Sequence, residues 1–275
     1  MVRTLEKCEA SSILAGMRDK LFGFIPRKTL NEPDSATDRI LGDRFLNELY
    51  SDEIRAIKEI AGELSPQSDI VVEIGAAGGN TKLVWPEAIT TDVRASIGVD
   101  RVMRAEEISF PPGSIRILFG LDALHHVGDP KKHFEELTRT LVENGKAIYI
   151  EPNWNFFSMF CFKFLLKYLH PEPYSTKKIS WELDDPDPMM GNQSQAFNIF
   201  VRDKREFERL FPGLMLEIHQ PIKGLSFLLS GGVHTRLPIP SWVILLIYRI
   251  ENRSTTWLKI FGLGRVISLT KVSRS

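Results

Sequence analysis

Three glycines, Gly75, Gly78 and Gly79, fall within five positions directly after the apolar run VVEI (71–74). A loop leaving a buried strand can lie close against a ligand only where Cβ atoms are absent. The amides beyond it can then bond an anionic group at the N-terminus of the next helix. Asp92 ends the next apolar run, thirteen residues after Gly79, where a carboxylate can accept both hydroxyls of a ribose. A tight strand-to-helix turn and a capping aspartate account for the same residues without any ligand.

His125, His126 and Glu151 are the residues suited to moving a proton. Histidine titrates near neutrality, and all three stand at the ends of apolar runs. The competing account sends one of two adjacent histidines into the core and gives Glu151, which precedes Pro152, a loop role. The 35 basic and 35 acidic side chains cancel, so no global field draws in nucleic acid and no nucleic-acid partner is expected. Only Cys8 and Cys161 are present, without a paired CxxC, so no metal site is expected. Glu6, Glu9 and Asp19 interrupt the apolar residues at the start of the chain, which predicts no signal peptide and a cytoplasmic location.

These residues need elements to hold them. Apolar runs at 69–74, 88–93, 115–120 and 146–151 read as buried strands, and 130–145 reads as a helix with Phe134, Leu137 and Leu141 on its inner face and Gly145 closing it. Strands alternating with helices imply a parallel α/β sheet with ligands at the carboxyl ends of its strands. Upstream, 11–25 and 43–63 carry helical spacing, separated by a linker at 31–40. Downstream, an aromatic helix is expected at 155–170, strands at 197–201 and 214–219, a helix at 203–211, a mostly helical insert at 222–263, and a last strand at 264–272.

In these segments the chain resembles the class I S-adenosylmethionine-dependent methyltransferases, of the small-molecule, type 11-like group. The resembling residues are EIGAAGG (73–79), TTD (90–92), RAEEISFPPGSIRILFGLDALHHVGDP (104–130) and HFEELTRTLVENGKAIYIEP (133–152). The resemblance covers about 68–152 and implies a doubly wound, Rossmann-like sheet of seven mostly parallel strands, with N-terminal helices and a helical, aromatic cap insertion. It implies S-adenosylmethionine as cofactor, with Glu73, Gly75, Ala77, Gly78 and Gly79 along its methionine and ribose part. Asp92 would take the ribose hydroxyls, Ala105 and Glu106 would border the adenine, and Leu121 and Asp122 would face the sulfonium. Two positions depart from the family pattern: Ala77 replaces a glycine, and Arg104 replaces an aspartate that would accept from the adenine amino group.

The expected division is an N-terminal helical extension (1–66), a cofactor-binding core (67–152), a cap and substrate region (153–263), and a last strand with tail (264–275). In WELDDPDP (181–188), Trp181 is suited to stack on a sugar ring while Glu182, Asp184 or Asp185 bond its hydroxyls. The tail from Arg249 carries six basic residues against one acid, Glu251, and with the aromatic residues of 155–170 it suits contact with an anionic membrane surface through 155–170 and 241–275. The expected function is methyl transfer to a small-molecule or lipid-linked, sugar-containing acceptor. The alternative, favoured by Ala77 and Arg104, is a methyltransferase-shaped scaffold or regulatory protein with impaired catalysis, associated with a membrane or partner. A nicotinamide-dependent oxidoreductase is disfavoured, because GAAGGN lacks the full G-x-G-x-x-G spacing.

Overall fold

A short segment buried on every residue suits a central strand, and VVEI is such a segment, forming β1 (Val71–Ile74) with all four residues buried. The computed structural model describes residues 33–62, 68–77, 80–165, 172–185, 187, 190–233 and 237–273. Within these, β1 is joined by β2 (Ile89–Asp92), β3 (Arg101–Val102), β4 (Ile115–Leu121), β5 (Leu141–Pro152), β6 (Leu214–Ile222) and β7 (Gly264–Lys271). They form one sheet in the order β3-β2-β1-β4-β5-β7-β6. β7 runs antiparallel to both its neighbours, and the other pairings are parallel. Val72 lies opposite Ile89 on one side and Leu118 on the other. The strand order therefore reverses between β1 and β4, and the crevice at that point is where doubly wound sheets bind ligands.

Helices cover both faces. On one, α2 (Arg44–Ala61) lays Ile54, Ile57 and Ala61 against β1, β4 and β5, beside Trp85, which stacks on Phe119 at 5.5 Å. Asp43 caps α2 by accepting from the N–H groups of Phe45 and Leu46 at 3.0 and 3.2 Å. On the other face, α3 (Pro130–Thr140) presents Phe134 and Leu137. Asp129 caps α3 through the N–H groups of Lys131 and Lys132, and Pro130 takes the first position, where no N–H is needed. The Phe134 ring meets Trp181, Phe200, Phe207 and Phe211 edge-on, with centroids 5.1 to 6.4 Å apart.

Several expected boundaries shift. The linker expected at 31–40 is helical from Pro33 on, forming helix α1 (Pro33–Gly42), while the expected helix at 11–25 lies outside the described residues. α3 ends at Thr140, and β5 begins at once. Asn144 takes a left-handed φ of 61° there, and a Cβ on Gly145 would lie 2.8 Å from the Val142 carbonyl oxygen, so Gly145 serves a strand irregularity and not a helix end. The aromatic segment forms only a short α4 (Phe156–Phe160) and a π-helical turn (Cys161–Leu165), with 166–171 outside the described residues.

FNIFV, read as a strand, is helical: Gln195–Phe197 runs into the π-helical turn Asn198–Arg202, whose Ile199 and Phe200 pack on Phe134 and its neighbours. A short apolar run fits either period, and here core packing decides. The expected helical insert forms α6 (Leu225–Ser230), α7 (Ser241–Glu251) and α8 (Thr255–Phe261), after α5 (Lys204–Leu210) and β6.

Phe134 is fully buried at the centre of one core face. Phe134→Ala is expected to cost about 3–5 kcal/mol, read as a lowered urea midpoint with the slope unchanged. A loss below about 1 kcal/mol would contradict the packing described.

Candidate active site

The carboxyl ends of the central strands hold an unusual density of buried polar groups. At the end of β1, Glu73 is buried, and its Oε1 accepts from the Thr81 hydroxyl at 2.8 Å. Its Oε2 has no hydrogen-bond partner among the described residues. Burial pushes the Glu73 carboxyl up to about 8, Thr81 opposing and Asp92 adding to the shift. The loop beyond holds Gly75 and Ala77 in left-handed conformations, at φ 66° and 46°. A Cβ on Gly75 would lie 2.8 Å from that of Ala123, so no side chain fits there. At Ala77 the same conformation carries a Cβ, at a cost of about 1–2 kcal/mol. Two bonds hold it: its N–H donates to Asp92 Oδ2 at 3.0 Å, and its carbonyl accepts from the Ser96 hydroxyl. Gly78 and Gly79 lie outside the described residues.

Asp92, at the end of β2, thus stands against the glycine loop, and its Oδ1 accepts from the Arg94 N–H at 3.0 Å. Past β3, the Ala105 carbonyl accepts from His133 Nδ1 at 2.8 Å, and His133 Nε2 accepts from the Tyr149 hydroxyl at 2.6 Å. Glu106 turns its carboxylate to the loop before α3, accepting from the N–H groups of Gly128 and Asp129 at 2.9 and 3.3 Å. Arg104 lies half exposed, its Nη2 3.4 Å from Glu106 Oε1. Of these, Arg104, Glu106, Gly128 and Asp129 border a cavity of about 270 Å³ that His126, Glu182 and Asp187 also line.

At the end of β4, Asp122 takes a left-handed φ of 50°, and its N–H donates to the Ile150 carbonyl at 2.8 Å. Its carboxylate accepts from the buried Lys223 ammonium, which also lies 3.4 Å from Glu53 Oε1 and over the rings of Tyr50 and Phe227. Burial pushes the Glu53 carboxyl up to about 8 against the opposing pull of Lys223. Burial pulls the Lys223 ammonium down, but Asp122 and Glu53 outweigh it and hold it above the usual lysine range. Lys223 was not foreseen: it follows β6, far from the motifs in sequence, and reaches the site only because β6 and β7 return to the sheet.

His125 is buried, and its Nδ1 donates to Glu151 Oε2 at 2.7 Å. Glu151 Oε1 accepts from the Leu124 N–H at 2.7 Å. On the other side, Glu172 Oε2 lies 3.4 Å from His125 Nε2, and Glu172 Oε1 3.9 Å from His126 Nε2. Burial pulls His125 down, but Glu151 and Glu172 outweigh it and hold it well above the usual histidine range. Its Nδ1 proton is committed to Glu151, and its Nε2 faces Glu172 and the Gln193 amide. His126 is a quarter exposed and lines the cavity.

Trp181 does not offer a face to a sugar. It is buried against Phe134, and its indole N–H donates to Asp203 Oδ2 at 2.9 Å, because the cap needs a large ring to close that side of the core. Asp184 is exposed beside Lys178 at 2.9 Å, and of the acids in that loop Glu182, Asp185 and Asp187 line the cavity. Leu121 is partly buried between the α2 and α7 sides of the core.

One solved structure with a TM-score above 0.5 shares this fold. Residues 84–149 match the family described as a methyltransferase domain, and no curated protein matches the chain in sequence. The putative methyltransferase solved in complex with the Trm112 methyltransferase activator of Haloferax volcanii is 13% identical, with a TM-score of 0.51, and the match covers 89% of this chain and 98% of that one. The YcgJ protein of Bacillus subtilis is 17% identical with a TM-score of 0.46, covering 82% and 99%. The geranyl diphosphate C-methyltransferase of Streptomyces coelicolor A3(2), solved with Mg2+, geranyl diphosphate and S-adenosyl-L-homocysteine, is 16% identical with a TM-score of 0.42, covering 83% and 81%. The matched residues run from before β2 into β5, and over that stretch the chain is similar to methyltransferase domains.

The buried Glu73 gives a test of this electrostatic picture. Its folded pKa lies above the unfolded value of about 4.5. Its stabilising effect is therefore complete below that value and is lost as pH rises towards about 8. Between these limits the stability of the wild type relative to Glu73→Gln is expected to fall by about 1.4 kcal/mol per pH unit. Urea titrations at several pH values check this, and a difference that stays flat with pH would contradict it.

Proposed function

We propose that the chain binds S-adenosylmethionine across the ends of β1, β2 and β4 and transfers its methyl group to a small-molecule or lipid-linked acceptor. The single observation that carries this reading is Asp92, whose carboxylate is fixed against the left-handed loop at Gly75–Ala77. Glu73 adds a second point of fit: a buried carboxyl oxygen without a partner among the described residues suits a cationic amine such as the cofactor's α-ammonium. When bound, the cofactor supplies a methyl group on a positively charged sulfonium.

The remaining roles belong to the chain itself. The Asp92 carboxylate would take the ribose hydroxyls, and the loop at 75–79, including Gly78 and Gly79, would pass along the methionine part. Ala105 and Glu106 would border the base. Leu121 and Asp122, locked by the Ile150 carbonyl and by Lys223, would form a rigid wall beside the reacting methyl. Methyl transfer is an in-line displacement, so such rigidity contributes chiefly by holding the acceptor in line. Of the three candidates His125, His126 and Glu151, His126 lines the cavity that an acceptor would enter, while Glu151 holds His125 behind it. The two departures weigh little against binding: Ala77 keeps the loop's left-handed turn, and Arg104 leans out towards Glu106.

Isothermal titration with S-adenosylhomocysteine is expected to give micromolar binding. Asp92→Asn, checked for an unchanged melting temperature, should weaken it at least tenfold. Absence of binding by the folded wild type would overturn the reading in favour of a scaffold or regulatory role.

A specific observation favours a lipid-linked acceptor. No helix among the described residues is long and apolar enough to cross a membrane. Yet α4, the turn after it, α7 and α8 expose Phe156, Phe160, Phe164, Trp242, Ile250 and Trp257, with Arg249, Arg253 and Lys259 among them. Exposed aromatic side chains beside basic ones suit the boundary of an anionic bilayer. The chain is expected to co-sediment with phosphatidylglycerol vesicles and less so with neutral ones. A triple Phe156→Ser, Phe160→Ser, Trp257→Ser variant should stay in solution, and equal sedimentation of both proteins would refute the contact.

A further inference from the structure

We propose that His125, His126 and Glu172 form a binding site for a divalent first-row transition-metal ion, with zinc as its reference occupant. Each offers one ligand atom, and the three atoms lie within 4.8 Å of one another. Such ions bind imidazole nitrogen and carboxylate oxygen at about 2.0–2.2 Å, which sets neighbouring ligand atoms of a tetrahedral site about 3.3 Å apart. The separations from Glu172 oxygens to His125 Nε2 and His126 Nε2, 3.4 and 3.9 Å, are close to that spacing. The donor set, two imidazoles and one carboxylate, is one that zinc and its neighbours favour over magnesium or calcium.

Three further features distinguish this cluster from charged groups that happen to meet. First, Glu151 binds His125 Nδ1 at 2.7 Å and is itself held by the Leu124 N–H at 2.7 Å. A carboxylate on the far nitrogen fixes the ring so that Nε2 faces the ion, as is usual behind metal-bound histidines. Second, the neighbouring segment lies directly on the ring. A Cβ on Gly191 would be 2.6 Å from the His125 carbonyl oxygen, and Asn192 N–H donates to that oxygen at 2.9 Å. The backbone that follows brings Gln193, whose amide donates to Glu172 Oε2 and lies 3.5 Å from His125 Nε2. That amide stands between two of the ligand atoms and must turn aside when the ion enters. Third, His126 also lines the cavity beside Glu106 and Asp129, which gives the ion a path in from solvent.

Three protein ligands leave at least one position open. On the methyl-transfer reading, that position faces the side from which an acceptor would come and would take one of its oxygen atoms. Metal binding itself does not depend on that reading.

The test uses the full chain, stripped with chelator and titrated with cobalt(II) chloride, without cofactor. One equivalent is expected to bind with micromolar affinity, to give the visible absorption of a low-coordinate cobalt site, and to be displaced by zinc. Glu172→Gln and His126→Gln should each weaken binding at least tenfold, and Glu151→Gln about tenfold. X-ray absorption of the zinc-loaded wild type should count two imidazoles and at least one oxygen, a result that stands even if a variant misfolds. A folded wild type that binds no cobalt, binding that survives both ligand substitutions, or a zinc shell without two imidazoles would overturn the proposal. If S-adenosylhomocysteine binds and cobalt does not, this inference alone fails.

Discussion

Glu151 is wholly buried, and each of its oxygens is committed: one to the Leu124 N–H, the other to His125. It ends β5 and grips the first turn beyond β4, so two neighbouring strands are locked at the end where the functional groups gather. The penalty for an unpaired buried carboxylate is several kcal/mol, and that penalty forces His125 inward and leaves His126 at the cavity. Asp122 sits just before this turn, in a left-handed conformation secured by the Ile150 carbonyl. The geometry at the ends of β4 and β5 therefore descends from one carboxylate and the need to satisfy it.

The cap is tied to the core by the same means. Lys223 arrives after β6 and places its ammonium between Asp122 and Glu53, under the rings of Tyr50 and Phe227. Removing that ammonium would leave two carboxyl groups without their charge partner, so α2, β4 and the β6 side cannot separate cheaply. On the cofactor side the corresponding tie is Asp92, which fastens the loop after β1 to the end of β2. Surface pairs such as Arg94 with Asp187 at 3.5 Å bridge core and cap as well, although pairs that exposed contribute little to stability.

Much of the sheet was legible from the chain alone, because β1, β2, β4 and β5 are short apolar runs separated by turn residues and nothing in their packing contradicts that pattern. Gly75, Ala77 and Asp92 were legible as one constellation, since a glycine loop and a strand-end carboxylate come close in sequence. The aromatic stretches were not. FNIFV and Trp181 have composition without a decisive period, and they took the structure that packing against Phe134 demanded. Gly145 looked like a helix end but serves a strand irregularity, because the carbonyl crowding that excludes a side chain there arises only once β5 has formed. That Glu172 and Gln193 meet His125, and Lys223 meets Asp122, was not legible for a simpler reason: no local motif marks them, and only the folded chain brings them to the ends of β4 and β5.

The proposed cofactor site is the crevice between β1 and β4. Hydrogen–deuterium exchange with and without S-adenosylhomocysteine tests it most directly, since it reads which segments a ligand covers. Slowed exchange is expected in the backbone at 73–80, 91–96, 104–107 and 121–126, with β6 and α7 unchanged. No protected segment at saturating ligand, or protection confined to the β6 side of the sheet, would contradict the account.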